Sequence, residues 1–180
     1  GTSWIGLQLF LKKYGLEGTA RVEKIGYTQE LTLLSGKADA VVCFLNNAPV
    51  ALRAAGVAIR QWDVKDWSDM VGASFISSRP IIAARGPVLA RFVRATRKAM
   101  EFTVTHRDEA AQIALKNVGN VKKEDEPLFR QRLDATCELF SSPQGYGALD
   151  SGRYTRSIAE LVSLGLIPSA FPAESVLRQF

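Results

Sequence analysis

The chain has 180 residues, 47% of them hydrophobic, and a net charge of +5 from 23 basic and 18 acidic side chains. That length serves one good core or two small lobes, and the balanced composition fits a globular protein. No run reaches the roughly 18 to 20 uninterrupted apolar residues of a membrane-spanning helix; the best candidate, Val41 to Ile59, is broken by Asn46, Asn47, Pro49 and Arg53. Residues 1–73 carry 8 basic and 7 acidic side chains and residues 74–180 carry 15 and 11, so the excess is mild and sits in the second part. Arg91, Arg94 and Lys98 share a helix face with acids and apolar residues around them. Mixed signs of that kind mark a solvated face rather than a nucleic-acid stripe.

The pattern begins with a helix near Trp4, capped by Ser3, with Ile5, Leu7, Leu9, Phe10, Leu11 and Tyr14 on a broad apolar face and Gly15 as its stop. Arg21 to Tyr27 reads as a strand. Thr28 caps a second helix, Gln29 to Ser35, which Gly36 ends. The nearly continuous apolar run Ala38 to Leu45 reads as a strand buried on both faces. After the turn Asn46-Asn47-Ala48-Pro49, Pro49 suits the first turn of a helix to Ala55 that Gly56 stops, and Val57 to Trp62 is another strand. A β–α–β–α–β rhythm predicts an α/β fold with a largely parallel sheet.

Asp63 to Met70 reads as a loop and Gly72 to Ser78 as a strand, which Arg79-Pro80 interrupts. From Pro87 the pattern turns helical: Val88 to Thr105, Asp108 to Asn117, Glu124 to Phe140, Ser151 to Ser163 and Ala173 to Phe180. A helix-rich second part with one strand has no sheet of its own to cover.

The chemistry that the sequence lacks narrows the function. His106 is the sole histidine, which argues against a His-dependent triad or a multi-histidine metal site. Cys43 and Cys137 stand some ninety residues apart and read as buried small hydrophobes. No phosphate-cradling loop, dinucleotide fingerprint or serine elbow is present. No catalytic residue, metal or cofactor is expected.

In parallel α/β sheets ligands lie beyond the carboxyl ends of the strands, where helices begin. That rule selects Thr2 and Ser3, with Trp4 beside them, then Tyr27, then Asn46 and Asn47, then Trp62 with Trp67 close behind. Hydroxyls beside a helix N-terminus attract polar oxygens. Paired amides suit a neutral heterocycle, and an indole or phenol ring stacks on a flat one. Each residue has an ordinary reading too: Ser3 as a cap, the asparagines as turn formers, the aromatics as core.

Gly-Thr-Ser opening a helix, then Leu34-Ser35-Gly36-Lys37-Ala38-Asp39-Ala40-Val41, then a turn with Asn47, Pro49, Leu52 and Gly56, resembles the periplasmic substrate-binding proteins of ABC transporters. The branch is the one with thiamine-pyrimidine-precursor, sulfonate, nitrate and riboflavin binders. Phe92-Val93-Arg94-Ala95, Asp108-Glu109-Ala110-Ala111, and Ile158-Ala159-Glu160 to Gly165-Leu166-Ile167 also resemble it.

The resemblance implies two α/β lobes with parallel-type sheets: residues 1–73 as a nearly complete second lobe, 74–80 as hinge and crossover, and 81–180 as a helical return to a first lobe that is incomplete. It implies ligand capture by closure about a hinge near Ala73 to Ser78. Thr2, Ser3 and Asn47, then Asn46 and Tyr27, match its ligand-contacting positions. Where precursor binders carry Asn-Glu-Pro, this chain has Asn47-Ala48-Pro49, which leaves the specificity open. The expected partners are a small molecule and a membrane permease, not nucleic acid, and the expected location is the periplasm or, lipid-anchored, the cell exterior. The chain opens on Gly1-Thr2-Ser3-Trp4 without a leader, which decides nothing about export. The competing readings are the effector domain of a transcription regulator and an enzyme like the thiamine-pyrimidine synthase, whose cysteine-rich motif is absent here.

Overall fold

A computed structural model describes every residue except Asn120, Ser141 and Pro143. Among the described residues seven α-helices run in chain order: α1 (Thr2–Lys13), α2 (Gln29–Leu34), α3 (Ala48–Ala54), α4 (Arg79–Thr105), α5 (Arg107–Val118), α6 (Glu126–Phe140) and α7 (Ser151–Ser163). Short 3₁₀ turns lie at Val64–Asp66, Lys123–Asp125 and Ala173–Ser175. The chain divides into two compact units, Gly1–Met70 with Gly152–Phe171, and Val71–Ser151 with Pro172–Phe180.

The expected α/β architecture is overturned: among the described residues no strand forms and no sheet exists. A strand is held by the ladder to its neighbour, because every extended N–H and C=O needs a partner. The segments 21–27, 38–45, 57–62 and 72–78 make no backbone hydrogen bond to one another. The apolar run that promised burial on both faces is only half-buried, with Phe44 62% exposed. β-propensity without a ladder gives extended chain, not strand.

The first unit forms from short helices with clear stops. α1 ends where Gly15 turns left-handed at φ 63°, and α3 ends before Gly56 at φ 73°. A residue with a Cβ is strained there, so these glycines end the helices. Gly1, not Ser3, occupies the cap position of α1, and Ser3 lies inside the first turn. Thr28 holds the cap position of α2 as expected, but through its backbone, with its carbonyl accepting from Thr32 at 2.8 Å; its hydroxyl donates instead to the Ile25 carbonyl at 2.6 Å. Leu9 and Leu11 of α1, Ala48, Pro49 and Leu52 of α3, and Ile158 of α7 are buried.

The second unit is built on three helices, with α4, α5 and α6 packed on one another. α4 begins at Arg79, ahead of the expected start after Pro87, because Ser78 caps it by accepting from the Ile81 N–H at 3.4 Å. Pro80 then sits in the first turn, where its missing N–H costs nothing. Pro87 leaves a kink instead of an end, with Arg85 at φ −127° and ψ 21°. Cys137 of α6 is buried and its thiol donates to the Thr103 carbonyl of α4 at 3.7 Å. The helix expected over Ala173 to Phe180 is reduced to one 3₁₀ turn, as a segment this short forms no stable helix unaided.

Accessible surface totals 12746 Å². Two compact bodies of half this mass each would expose about 10,400 Å² together. Large apolar side chains that are mostly exposed include Tyr27, Phe44, Phe75 and Ile76.

Candidate functional site

The residues selected from the sequence lie in the first unit, at the starts of helices and on the extended segments between them. Thr2, Ser3 and Trp4 form the exposed first turn of α1, where the Gly1 carbonyl accepts from the N–H groups of Trp4 at 3.0 Å and Ile5 at 3.3 Å. No side chain caps this end, so its first-turn donors and the positive end of the helix dipole face outward.

Asn47 holds the cap position of α3 through its backbone: its carbonyl accepts from Val50 and Ala51, both at 3.1 Å, and its own N–H donates to Phe44 at 3.0 Å. Its side chain takes no part in capping and is exposed. Ala48 and Pro49, directly behind, are buried and fix the turn. Asn46 is half-buried and engaged within the fold. Tyr27 is 96% exposed, in the turn it forms with Gly26 just ahead of α2.

Trp62 belongs to an aromatic cluster that sequence reasoning did not assemble. Phe10 stands at its centre, edge-on to Trp62 at 5.9 Å and to Trp67 at 5.8 Å, and tilted against Tyr14 at 4.7 Å. Pairs at these distances and angles are the favoured aromatic arrangements. The Arg60 guanidinium lies 4.6 Å over the Trp62 ring. The signal was present, since Arg60 and Trp62 are two apart and share a side of extended chain.

Phe10 lies eight residues after Thr2, a rise of about 12 Å along α1. The structure therefore puts Trp62 beside the second half of α1, apart from the Thr2–Trp4 turn. Trp62 keeps 46% of its surface exposed, while the buried Trp67 indole N–H has no hydrogen-bond partner.

The two thiols are poor nucleophiles. Burial first, then the nearby Glu30 carboxylate, pushes the Cys43 thiol above its ordinary value. Burial pushes Cys137 up as well, against the opposing pull of Arg107. Both stay protonated at neutral pH, and the thiolate is the reactive form. Among the described residues no group of three His, Cys, Asp or Glu side chains is placed to hold a metal ion.

The second unit carries an open apolar groove of about 590 Å³ between α4 and α5, lined by Lys98, Phe102, Thr103, Ile113 and Asn117 among others. None of the residues selected from the sequence borders it. Its floor is helix packing, and Phe102 is stacked 4.8 Å from His106 at the end of α4.

These features describe exposed polar and aromatic groups around helix starts. The chain belongs to the NMT1/THI5-like family, which it matches over residues 3–110. It is also similar to the riboflavin-binding protein RibY of Chloroflexus aurantiacus, with 26% identity over 172 residues. That alignment takes in 93% of this chain and 49% of RibY, so the chain spans about half the length of this relative. No solved structure matches it. No helix among the described residues is long and apolar enough to cross a membrane.

Proposed function

We propose that the protein is the solute-binding component of an ABC uptake transporter and captures a small polar or heterocyclic ligand without chemical change. The similarity to a riboflavin-binding protein across 93% of the chain carries this reading, together with membership of the NMT1/THI5-like family. The receiving partner is a membrane permease, and the place of work is the periplasm or the outer cell surface. The groups at hand suit a flat, hydrogen-bonding ring: Trp4 and Tyr27 are exposed aromatic side chains, Trp62 keeps 46% of its surface exposed beside Arg60, and the exposed Asn47 amide, next to Asn46, can pair with ring N–H and C=O. Riboflavin is the first ligand to test.

The test is the melting temperature of the full-length parent protein against riboflavin, thiamine-pyrimidine precursors, alkanesulfonates and nitrate. A ligand at a hundredfold excess over its dissociation constant stabilises the native state by about 2.7 kcal/mol. We expect riboflavin or one other class to raise the melting temperature clearly. Absence of a shift with all four classes would overturn the reading. Asn47→Ala should weaken binding far more than it lowers apo-protein stability, because the Asn47 side chain caps nothing; equal binding by variant and parent would remove it from the site.

A further inference from the structure

The positive charge of the chain is concentrated in one stretch of the second unit. Between Asp69 and Glu101 no acidic residue occurs, while Arg79, Arg85, Arg91, Arg94, Arg97 and Lys98 all fall there. Six of the chain's 23 basic side chains thus lie where none of its 18 acidic ones does, and the rest of the chain is left at a net charge of −1. Counting residues 74–180 together averages this concentration away.

Helix α4 shows these cations to solvent beside apolar residues. Leu89, Ala90, Val93, Thr96, Arg97 and Met100 are half-buried and mark its inward face. Val88, Phe92, Ala95 and Ala99, at intervals of four, three and four, form a second stripe that is exposed. Arg91, Arg94 and Lys98 run along the edge of that stripe and are exposed too, and Lys98 carries it to the groove between α4 and α5. Ahead of the helix, Phe75 stands edge-on to Phe92 at 5.0 Å, and Ile76 is 95% exposed. Ile81 early in α4 and Arg85 at its kink are exposed as well.

No carboxylate answers these cations. Among the described residues the ion pairs of this unit lie on α5, α6 and the turn between them, and none includes Arg85, Arg91, Arg94 or Lys98. Glu101, the single acid of α4, joins none of them either. Arg79 and Arg97 are engaged within the unit: Arg79 donates to the Ser175 carbonyl at 3.4 Å, and the Arg97 stem lies against Gly147.

A row of cations suits any polyanion, but exposed Ile76, Ile81, Val88 and Phe92 beside it gain free energy only where they leave water. An anionic membrane surface meets both needs, with headgroup phosphates for the cations and an acyl boundary about 5–10 Å deep for the apolar side chains. Long basic stems bridge that difference in depth. Burying the same face against protein would strand its cations unless each met a carboxylate.

We propose that this face of the second unit, built on Phe75, Ile76, Val88, Arg91, Phe92 and Lys98, is a docking surface for an anionic lipid bilayer. It lays α4 along the headgroup layer without crossing it. The proposal does not rest on the solute-binding reading, and no solute enters its test.

The test is sedimentation of the full-length parent protein, produced unlipidated, with vesicles of mixed phosphatidylcholine and phosphatidylglycerol and with vesicles of phosphatidylcholine only. We expect binding to the mixed vesicles that weakens as salt rises, and little binding to the neutral ones. Each lost cation should lower the partition about fivefold, so Arg91→Gln combined with Lys98→Gln should lower it about twenty- to thirtyfold. Ile76→Ser and Phe92→Ser should each lower it about tenfold. Ile76 is so exposed that its variant reports on the surface even if Phe92→Ser disturbs the fold. Lys24→Gln, an exposed charge of the first unit, should change nothing. Absence of binding to the mixed vesicles would overturn the proposal and assign the face to a protein partner or to another part of the full-length protein. Equal binding to neutral vesicles, or a loss in Lys24→Gln as large as that in Arg91→Gln, would overturn it as well.

Discussion

The two units hold themselves together by different means. In the first, short helices are joined by long-range polar ties, most of which end on backbone. Glu160 of α7 accepts from the Asp69 N–H at 3.1 Å, Arg153 donates to the Met70 carbonyl at 3.1 Å, and Arg156 pairs with the Asp69 carboxylate at 2.7 Å. The Ser68 hydroxyl donates to Glu160 at 2.8 Å and accepts from the Met70 N–H at 3.0 Å, and Lys12 donates to the Ser163 carbonyl at 2.7 Å. In the second, longer helices pack directly, and the ties between α5 and α6 are exposed ion pairs, Arg107 with Asp134 and Glu138 and Arg130 with Asp108. Exposed pairs contribute at most about 1 kcal/mol each. The first unit therefore adds individual polar ties to a core that includes Leu9, Leu11, Leu52 and Ile158, whereas the second joins its helices with exposed ion pairs over a smaller buried set that includes Ala110, Ala111 and Cys137.

The largest expected effects come from the buried apolar residues of each unit. Leu52 of α3 is 3% exposed, and Leu52→Ala should cost about 2–5 kcal/mol through lost burial and a cavity. Cys137→Ala removes one buried sulfur and its bond to Thr103, and should cost only about 1 kcal/mol. Denaturant midpoints of the two variants check the order. A Cys137 variant as damaged as the Leu52 variant would place the second unit's stability in that single contact rather than in distributed packing.

Acid should separate the units next. The Arg156 hydrogen bond, opposed by some desolvation and aided by the charges of Arg156 and Arg153, holds the Asp69 carboxyl below its ordinary value. A lowered folded-state value means the tie is fully present above about pH 4, the unfolded carboxyl's range, and is lost as pH falls through the folded value. The protection of the Asp69 and Met70 amides, taken relative to the intrinsic exchange rate at each pH, should therefore fall below about pH 4 in the parent. In Asp69→Asn that protection should already be lower at neutral pH and show little further acid dependence. Matching acid profiles in the two proteins would mean that Asp69 is not the group that titrates.

Much of the helical content was legible, because helix signals are local. α7 spans the residues that its pattern predicts, and Gly56 and Pro49 mark the ends of α3 as turn chemistry requires. The start of α4 was missed because Arg79-Pro80 reads equally as a break in a strand or as the opening turn of a helix. What resolves it is the Ser78 hydroxyl, visible only once the backbone is placed. The sheet failed for the complementary reason: strand identity belongs to pairs of segments, and apolar alternation in one of them supplies no partner. The candidate ligand residues were chosen by their place at segment ends. The ties of α7 to residues 68–70 were not visible, since Asp69 and Arg156 lie 87 positions apart and no local pattern joins them.

The smallest prediction links those ties to helix α1. Gly6 is buried in the middle of that helix, where glycine costs about 1 kcal/mol relative to alanine through its extra backbone freedom. A Cβ there would lie 3.5 Å from the Met70 methyl and 3.6 Å from a Val64 methyl, ordinary contact distances. Gly6→Ala should therefore raise stability by about 0.5–1 kcal/mol, read as a later denaturant midpoint. Gly6→Leu should do the opposite: its extra carbons must displace Met70, whose backbone Arg153 holds at 3.1 Å, and overpacking of this kind costs about 1–3 kcal/mol. If the grip of α7 on residues 68–70 yields easily, the leucine variant should lose little, and adding Arg153→Gln should not relieve it. If that grip is stiff, Arg153→Gln should recover part of the loss, since Met70 is then free to move aside.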